Sequence, residues 1–103
     1  MSQQAGIREV ASGELRLAGV LDYRSGPLLR EQGRALISAS QAPQLVLDCS
    51  EVEKSSSVGI SLLLAYLRDA QKAKKALKIR GLPQDMQDIA KVSDLLDILP
   101  LQA

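Results

Sequence analysis

Residues 43–82, "PQLVLDCSEVEKSSSVGISLLLAYLRDAQKAKKALKIRGL", decide the fold. The first eight form a nearly continuous apolar run through Leu45, Val46 and Leu47, as expected of a strand inside a sheet covered on both sides. Three serines then lead into a helical pattern in which Val58, Leu62, Ala65, Tyr66, Asp69 or Ala70, and Ala73 recur three or four residues apart, reaching about Lys74. At roughly 1.5 Å per residue such a helix spans about 27 Å, enough to cross a small sheet. In 76–82, Leu77, Ile79 and Gly81 alternate with Lys78 and Arg80, which predicts a second strand. Strand, helix and strand in succession imply parallel strands joined by a right-handed crossover.

The flanks extend this unit. Upstream, Leu15 and Leu17 alternate with Glu14 and Arg16 over 14–21, a weaker strand candidate covers 7–10, and the turn "ASG" at 11–13 makes the two an antiparallel hairpin. A helix follows over about 26–39, with Ser25 placed to cap it, Pro27 in its first turn and Leu29, Leu36 and Ile37 near one face. Downstream, "DMQDIAKVS" gives a helix with Met86, Ile89 and Ala90 on one side, and "DLLDILP" a last short helical turn. The order β-β-α-β-α-β-α-α is that of an α/β fold, a mixed four- to five-stranded sheet flanked by helices, in a single domain over 1–103.

Composition narrows the chemistry. The chain has 103 residues, a net charge of +1, one cysteine and no histidine. Without histidine there is no Ser-His-Asp triad and no His-containing metal site, so no catalytic residue, metal or cofactor is expected. Two tyrosines, with no Phe or Trp, give no base-stacking surface, and the small net charge gives no strong field; nucleic acid is not an expected partner. A phosphate-binding G-x-x-x-x-G-K-[ST] loop is missing from the sequence, so ATP would bind elsewhere. Lone Cys49 suits a reducing compartment and reads as a small buried filler. The apolar run around Ile60–Leu67 is too short to span a bilayer and the first residues do not resemble a secretory signal; a cytoplasmic location without direct membrane insertion is expected.

"LRLAGVLD" at 15–22, "LVLDCSEVE" at 45–53, the segment 55–82 and "VSDLLDILP" at 92–100 occur in the order found in STAS domains, and the chain resembles that family from about residue 14 onward. The family's most specific motif, Asp-Ser-Ser-Gly-Leu-Gly, starts the helix after the central strand. Anchored on Gly59, the resemblance puts Ser57 at the phosphorylatable position and Ser56 at the preceding Asp, with Val58, Ile60 and Ser61 in the remaining places. The missing Asp and final Gly depart from anti-sigma factor antagonists, in which a kinase reads this loop. Within the family the chain is more similar to the small STAS subunits of Mla-type bacterial phospholipid ABC transporters. That resemblance implies a non-enzymatic regulatory or assembly subunit, peripheral to the inner membrane through its partner. It would bind the ATPase subunit through 56–64, with Ser56, Ser57, Val58, Gly59, Ile60, Ser61 and Leu64 as contacts. The alternative is an anti-sigma factor antagonist controlled by phosphorylation at Ser57.

Local physics qualifies these assignments. On residues alone, one of Ser55, Ser56 and Ser57 is a helix N-cap, a role compatible with docking, and the helix start also favours an anion. Ile60, Leu64 and Leu67 form a second apolar stripe, read as a ridge offered to a partner in preference to a flank tucked under neighbouring elements. The β-α-β topology is expected to bring Asp22 and Asp48 or Glu51 near the serine loop, although Asp22 could equally start an Asx turn. The basic segment 68–80 reads chiefly as a solvated face.

Overall fold

The computed structural model describes residues 5–102. Its elements are β1 (Gly6–Ala11), β2 (Glu14–Leu21), α1 (Gly26–Ala39), β3 (Gln44–Ser55), α2 (Ser57–Lys72), β4 (Ala76–Arg80) and α3 (Gln84–Val92), followed by a 3-10 turn at Leu96–Ile98. The sheet runs β1-β2-β3-β4, with β1 antiparallel to β2 and the other pairs parallel. The hairpin and the parallel pairing across each β-α-β unit are as the sequence predicts, with four strands among the described residues. Beyond β4, the Ile79 N–H donates to the Pro100 carbonyl (2.9 Å) and the Gln102 N–H to the Ile79 carbonyl (2.7 Å), which covers part of the open edge.

Alternation builds the core. Leu15, Leu17 and Leu21 of β2 are buried, as are Leu45, Leu47 and Cys49 of β3 and Leu77 and Ile79 of β4. They share one cluster with Leu29 and Ile37 of α1, Leu63 and Tyr66 of α2, and Met86 and Ala90 of α3. In so aromatic-poor a core, Tyr66 is the largest buried side chain, and its hydroxyl donates to the Leu29 carbonyl at 2.6 Å. α1 crosses the ring at Gly33, where a Cβ would lie 2.2 Å from Tyr66 Cε1. A mid-helix glycine costs roughly 1 kcal/mol against alanine, and here the close approach of the ring requires it.

Two features depart from the sequence reading. β3 continues to Ser55 instead of ending with the apolar run near Ser50; beyond that run the register against β2 shifts twice, between Arg16 and Ala18 and between Gly19 and Val20, so the strand's second half carries no regular alternation. Ser56 alone therefore joins β3 to α2. α2 stops at Lys72, where Lys74 takes a left-handed conformation (φ 59°) and the Lys75 N–H returns to the Ala70 carbonyl. Lys75 is not part of a solvated face: its Nζ donates to the carbonyls of Ile37 (2.5 Å) and Ser40 (2.6 Å) at the end of α1.

The alternate strand positions face the other way and carry charge. Asp48, only 5% exposed, lies 3.5 Å from Arg16 and 3.4 Å from Arg80, and accepts from the Ser50 N–H at 2.9 Å. Burial opposes ionisation of Asp48, but the Ser50 hydrogen bonds and Arg80 outweigh it and hold the carboxyl below its usual range. Because the folded value is depressed, the resulting stabilisation is complete above the ordinary aspartate pKa of about 3.9 and is lost as pH falls through the folded value. Urea midpoints measured from pH 6 down to pH 2.5 should therefore fall below about pH 4, and fall less steeply in Asp48→Asn. On the core face, burial and then the Asp48 charge push the Cys49 thiol up to about 12. Iodoacetamide at pH 8 should leave Cys49 unmodified in the native protein and alkylate it fully in urea.

Candidate partner-docking site

The three serines have distinct roles. Ser56 is the N-cap of α2: its Oγ accepts from the Val58 N–H (3.2 Å), and its own N–H donates to the Leu21 carbonyl (3.0 Å), tying the junction to the end of β2. Ser55 donates its hydroxyl to the Ser56 carbonyl at 2.7 Å. Ser57, the first helical residue, is exposed, and its hydroxyl has no protein partner among the described residues. Replacing Ser56 with alanine should cost about 1 kcal/mol, measurable by thermal or urea unfolding, whereas Ser57→Ala should cost little.

Gly59 fits where no larger residue would. A Cβ there would come 1.9 Å from Ser55 Oγ and 2.9 Å from Met86 Cε, so the helix start seats directly on the β3 end and α3. Ile60 corrects the expected ridge: it is 3% exposed and belongs to the core, while Leu64 and Leu67 are half-buried against that core. The reason is that α2 packs against α1 on one flank and α3 on the other, so an apolar stripe off its sheet-facing side is also covered. The predicted contacts left to a partner are Ser56, Ser57 and Ser61, all exposed, and half-buried Val58 and Leu64.

The expected acids separate. Asp22 follows β2 beside the junction, and its Oδ1 accepts from the Arg24 and Ser25 N–H groups (2.9 and 3.1 Å), an Asx turn. Ser25 does not cap α1 through its side chain; its hydroxyl donates to the Val20 carbonyl and accepts from the Asp22 N–H. Asp48 and Glu51 do not join the loop. With β3 running to Ser55, they precede Ser56 by roughly 26 Å and 17 Å of extended chain, at about 3.3 Å per residue.

The structure adds residues that the sequence reading missed. Tyr23, 73% exposed, sits with Pro27, Arg30, Val58, Ser61 and Leu62 around a shallow groove of about 260 Å³ between the starts of α1 and α2. The Arg24 guanidinium lies 5.6 Å from the Tyr23 ring centroid, and its Nε donates to the Tyr23 hydroxyl. An exposed tyrosine in a chain with only one other aromatic residue is the sequence signal that could have marked it. Among the described residues no cluster of three His, Cys, Asp or Glu side chains could hold a metal, and no helix is long and apolar enough to cross a membrane.

Among the described residues, four strands, three helices and a serine-capped junction after an interior strand define an α/β domain. The family described as "Mlab, STAS domain" matches residues 7–100, and the chain belongs to this MlaB-like STAS family. Solved structures share the fold. An Acinetobacter MlaFEDB complex in an ATP-bound conformation contains a chain 22% identical with a TM-score of 0.78, over 91% of this chain and 98% of that one. An anti-sigma factor antagonist from Mycobacterium paratuberculosis is 22% identical with a TM-score of 0.75, over 95% and 83% of the two chains. The phosphorylated form of the Bacillus cell fate determinant SpoIIAA is 14% identical with a TM-score of 0.66, over 97% and 92%.

Proposed function

We propose that the chain is a non-enzymatic regulatory and assembly subunit of an Mla-type phospholipid-transporting ABC complex serving outer-membrane lipid asymmetry. In this reading it sits in the cytoplasm, peripheral to the inner membrane, and docks on the ATPase subunit through the start of α2. Membership of the MlaB-like family and likeness to a chain of the Acinetobacter MlaFEDB complex support the reading. The observation that carries it is the division of labour among the serines. Ser56 is committed to the cap, which fixes the helix start and leaves Ser57 and Ser61 exposed beside half-buried Val58. Such a surface offers hydroxyl contacts and a small apolar centre at little ordering cost.

Ser57→Glu tests it cleanly. A carboxylate in the first turn complements the helix dipole, so the fold should be kept or slightly stabilised. Co-purification with the ATPase subunit should nevertheless be lost, because an added charge at the contact must be desolvated. Retained co-purification would sink the reading.

The alternative, an anti-sigma factor antagonist switched by phosphorylation at Ser57, gains from one observation. Asp48 and Glu51 lie back along β3, which leaves Asp22 as the one expected acid beside that helix start, and the dipole and free N–H groups of the first turn favour a phosphate there. A kinase assay with mass spectrometry of residues 55–68 separates the two.

A further inference from the structure

The groove beside Ser57 meets a second hollow at Arg30, which lines both. That side chain bridges the helices, because its guanidinium holds buried Asp69 through two hydrogen bonds (2.5 and 3.1 Å). Beyond the bridge the second hollow, of about 450 Å³, lies between α1 and α2, lined by Arg34, Ser38 and Lys72, and the two together form a trough interrupted at Arg30. The two ends differ in chemistry. Near the loop the walls are Tyr23, Pro27, Val58 and Leu62. At the far end Arg30 and Asp69 neutralise each other and Arg34 shares exposed Glu31, while Lys72 has no acidic partner among the described residues. The far end therefore keeps an excess of positive charge.

We infer that this trough is the seat of an amphipathic, acid-bearing helix of the partner subunit, with its apolar anchor at Tyr23 and Val58 and its carboxylates at Arg34 and Lys72. The inference rests on the docking reading above and names the chemistry of the docked segment. Spacing favours a helix. From Ser61 to Lys72 α2 rises about 17 Å at roughly 1.5 Å per residue, so a helix lying alongside would carry its anchor and its acids about eleven residues, or three turns, apart. A lipid fits poorly: its anionic headgroup adjoins its acyl chains, whereas here the Arg30–Asp69 bridge separates the apolar and cationic ends. The apolar end is also continuous with the exposed face of the Ser57 turn, so one partner can cover both. Exposed Tyr23 suits an anchor, since tyrosine is enriched among the residues that dominate interface energies.

The test measures affinity of the ATPase subunit for wild type, Tyr23→Ala, the double variant Arg34→Glu/Lys72→Glu, and Ser57→Glu, at 50 and 300 mM salt. These are surface positions, and circular dichroism checks that each variant folds. Charge reversal should weaken binding at least tenfold at low salt and flatten its salt dependence. Tyr23→Ala should weaken it about tenfold and leave the salt dependence intact. If both groove variants bind like wild type while Ser57→Glu does not, docking at the loop stands and the inference is overturned. If wild type itself fails to bind, the functional reading falls and takes the inference with it. Vesicles of phosphatidylglycerol in phosphatidylcholine, and self-association by analytical ultracentrifugation, cover the other occupants. Binding to either that is lost on charge reversal, with ATPase affinity unchanged, overturns the inference.

Discussion

Tyr66→Ala is expected to lower stability by about 3–5 kcal/mol, the usual cost of truncating a large buried aromatic side chain. In a domain whose total stability is of the order of 5–15 kcal/mol, that takes a large share of the whole. The ring is fully buried, forms the floor beneath α1 at Gly33, and binds the Leu29 carbonyl, so its loss opens a cavity and leaves a backbone acceptor unpaired. Tyr66→Phe should cost only about 1 kcal/mol, the net value of the hydrogen bond. The contact with Gly33 adds a sharper expectation. Gly33→Ala alone should destabilise, because the added methyl collides with the ring by more than its helix propensity returns. Combined with Tyr66→Ala it should cost less than the sum of the two, because the methyl then enters the cavity. Additive urea-unfolding energies would show that the helices part without needing this contact.

Ile60→Asp should unfold the protein, at a cost above about 4 kcal/mol, because it places a carboxylate among core side chains. The outcome separates two readings of the same residue. On an exposed ridge, the substitution would leave circular dichroism and melting unchanged and abolish only partner binding. In the core, the chain loses its fold, and partner binding goes with it. A folded Ile60→Asp protein would contradict the packing of α2 between α1 and α3.

The β-α-β unit was legible because the apolar run Leu45–Leu47, the spacing from Val58 to Ala73, and the alternation of Leu77 and Ile79 are simple patterns, although the run does not mean cover on both sides: Leu45 and Leu47 face the core while Asp48 pairs with Arg16 and Arg80 on the other face. The length of β3 was not. Its two register shifts break the period of two and, Val52 apart, residues 50–55 are polar, so the strand was ended near Ser50, which wrongly carried Asp48 and Glu51 to the helix start. Burial of Ile60 was hidden for another reason: a second covered flank on α2 depends on where α1 and α3 pack, which a stripe of leucines does not encode. The candidate site was legible in part. Gly59 and the serines marked the helix start, but choosing Ser56 as the cap required the backbone conformation that turns its Oγ to the Val58 N–H. Tyr23, Pro27 and Arg30 join the site only through the pairing of α1 with α2, about thirty-five residues away in sequence, a tertiary event with no local signature.

Amide hydrogen exchange of the full chain, alone and mixed with the ATPase subunit, tests docking at the start of α2 most directly and requires no substitution. The amides of the first helical turn lack carbonyls four residues back and exchange readily when a helix end faces water. If the partner covers Ser57, Val58 and Ser61, peptides spanning 54–64 slow on mixing while those spanning 76–80 do not change. Unchanged exchange over 54–64 in a complex that demonstrably forms would contradict docking through this helix start.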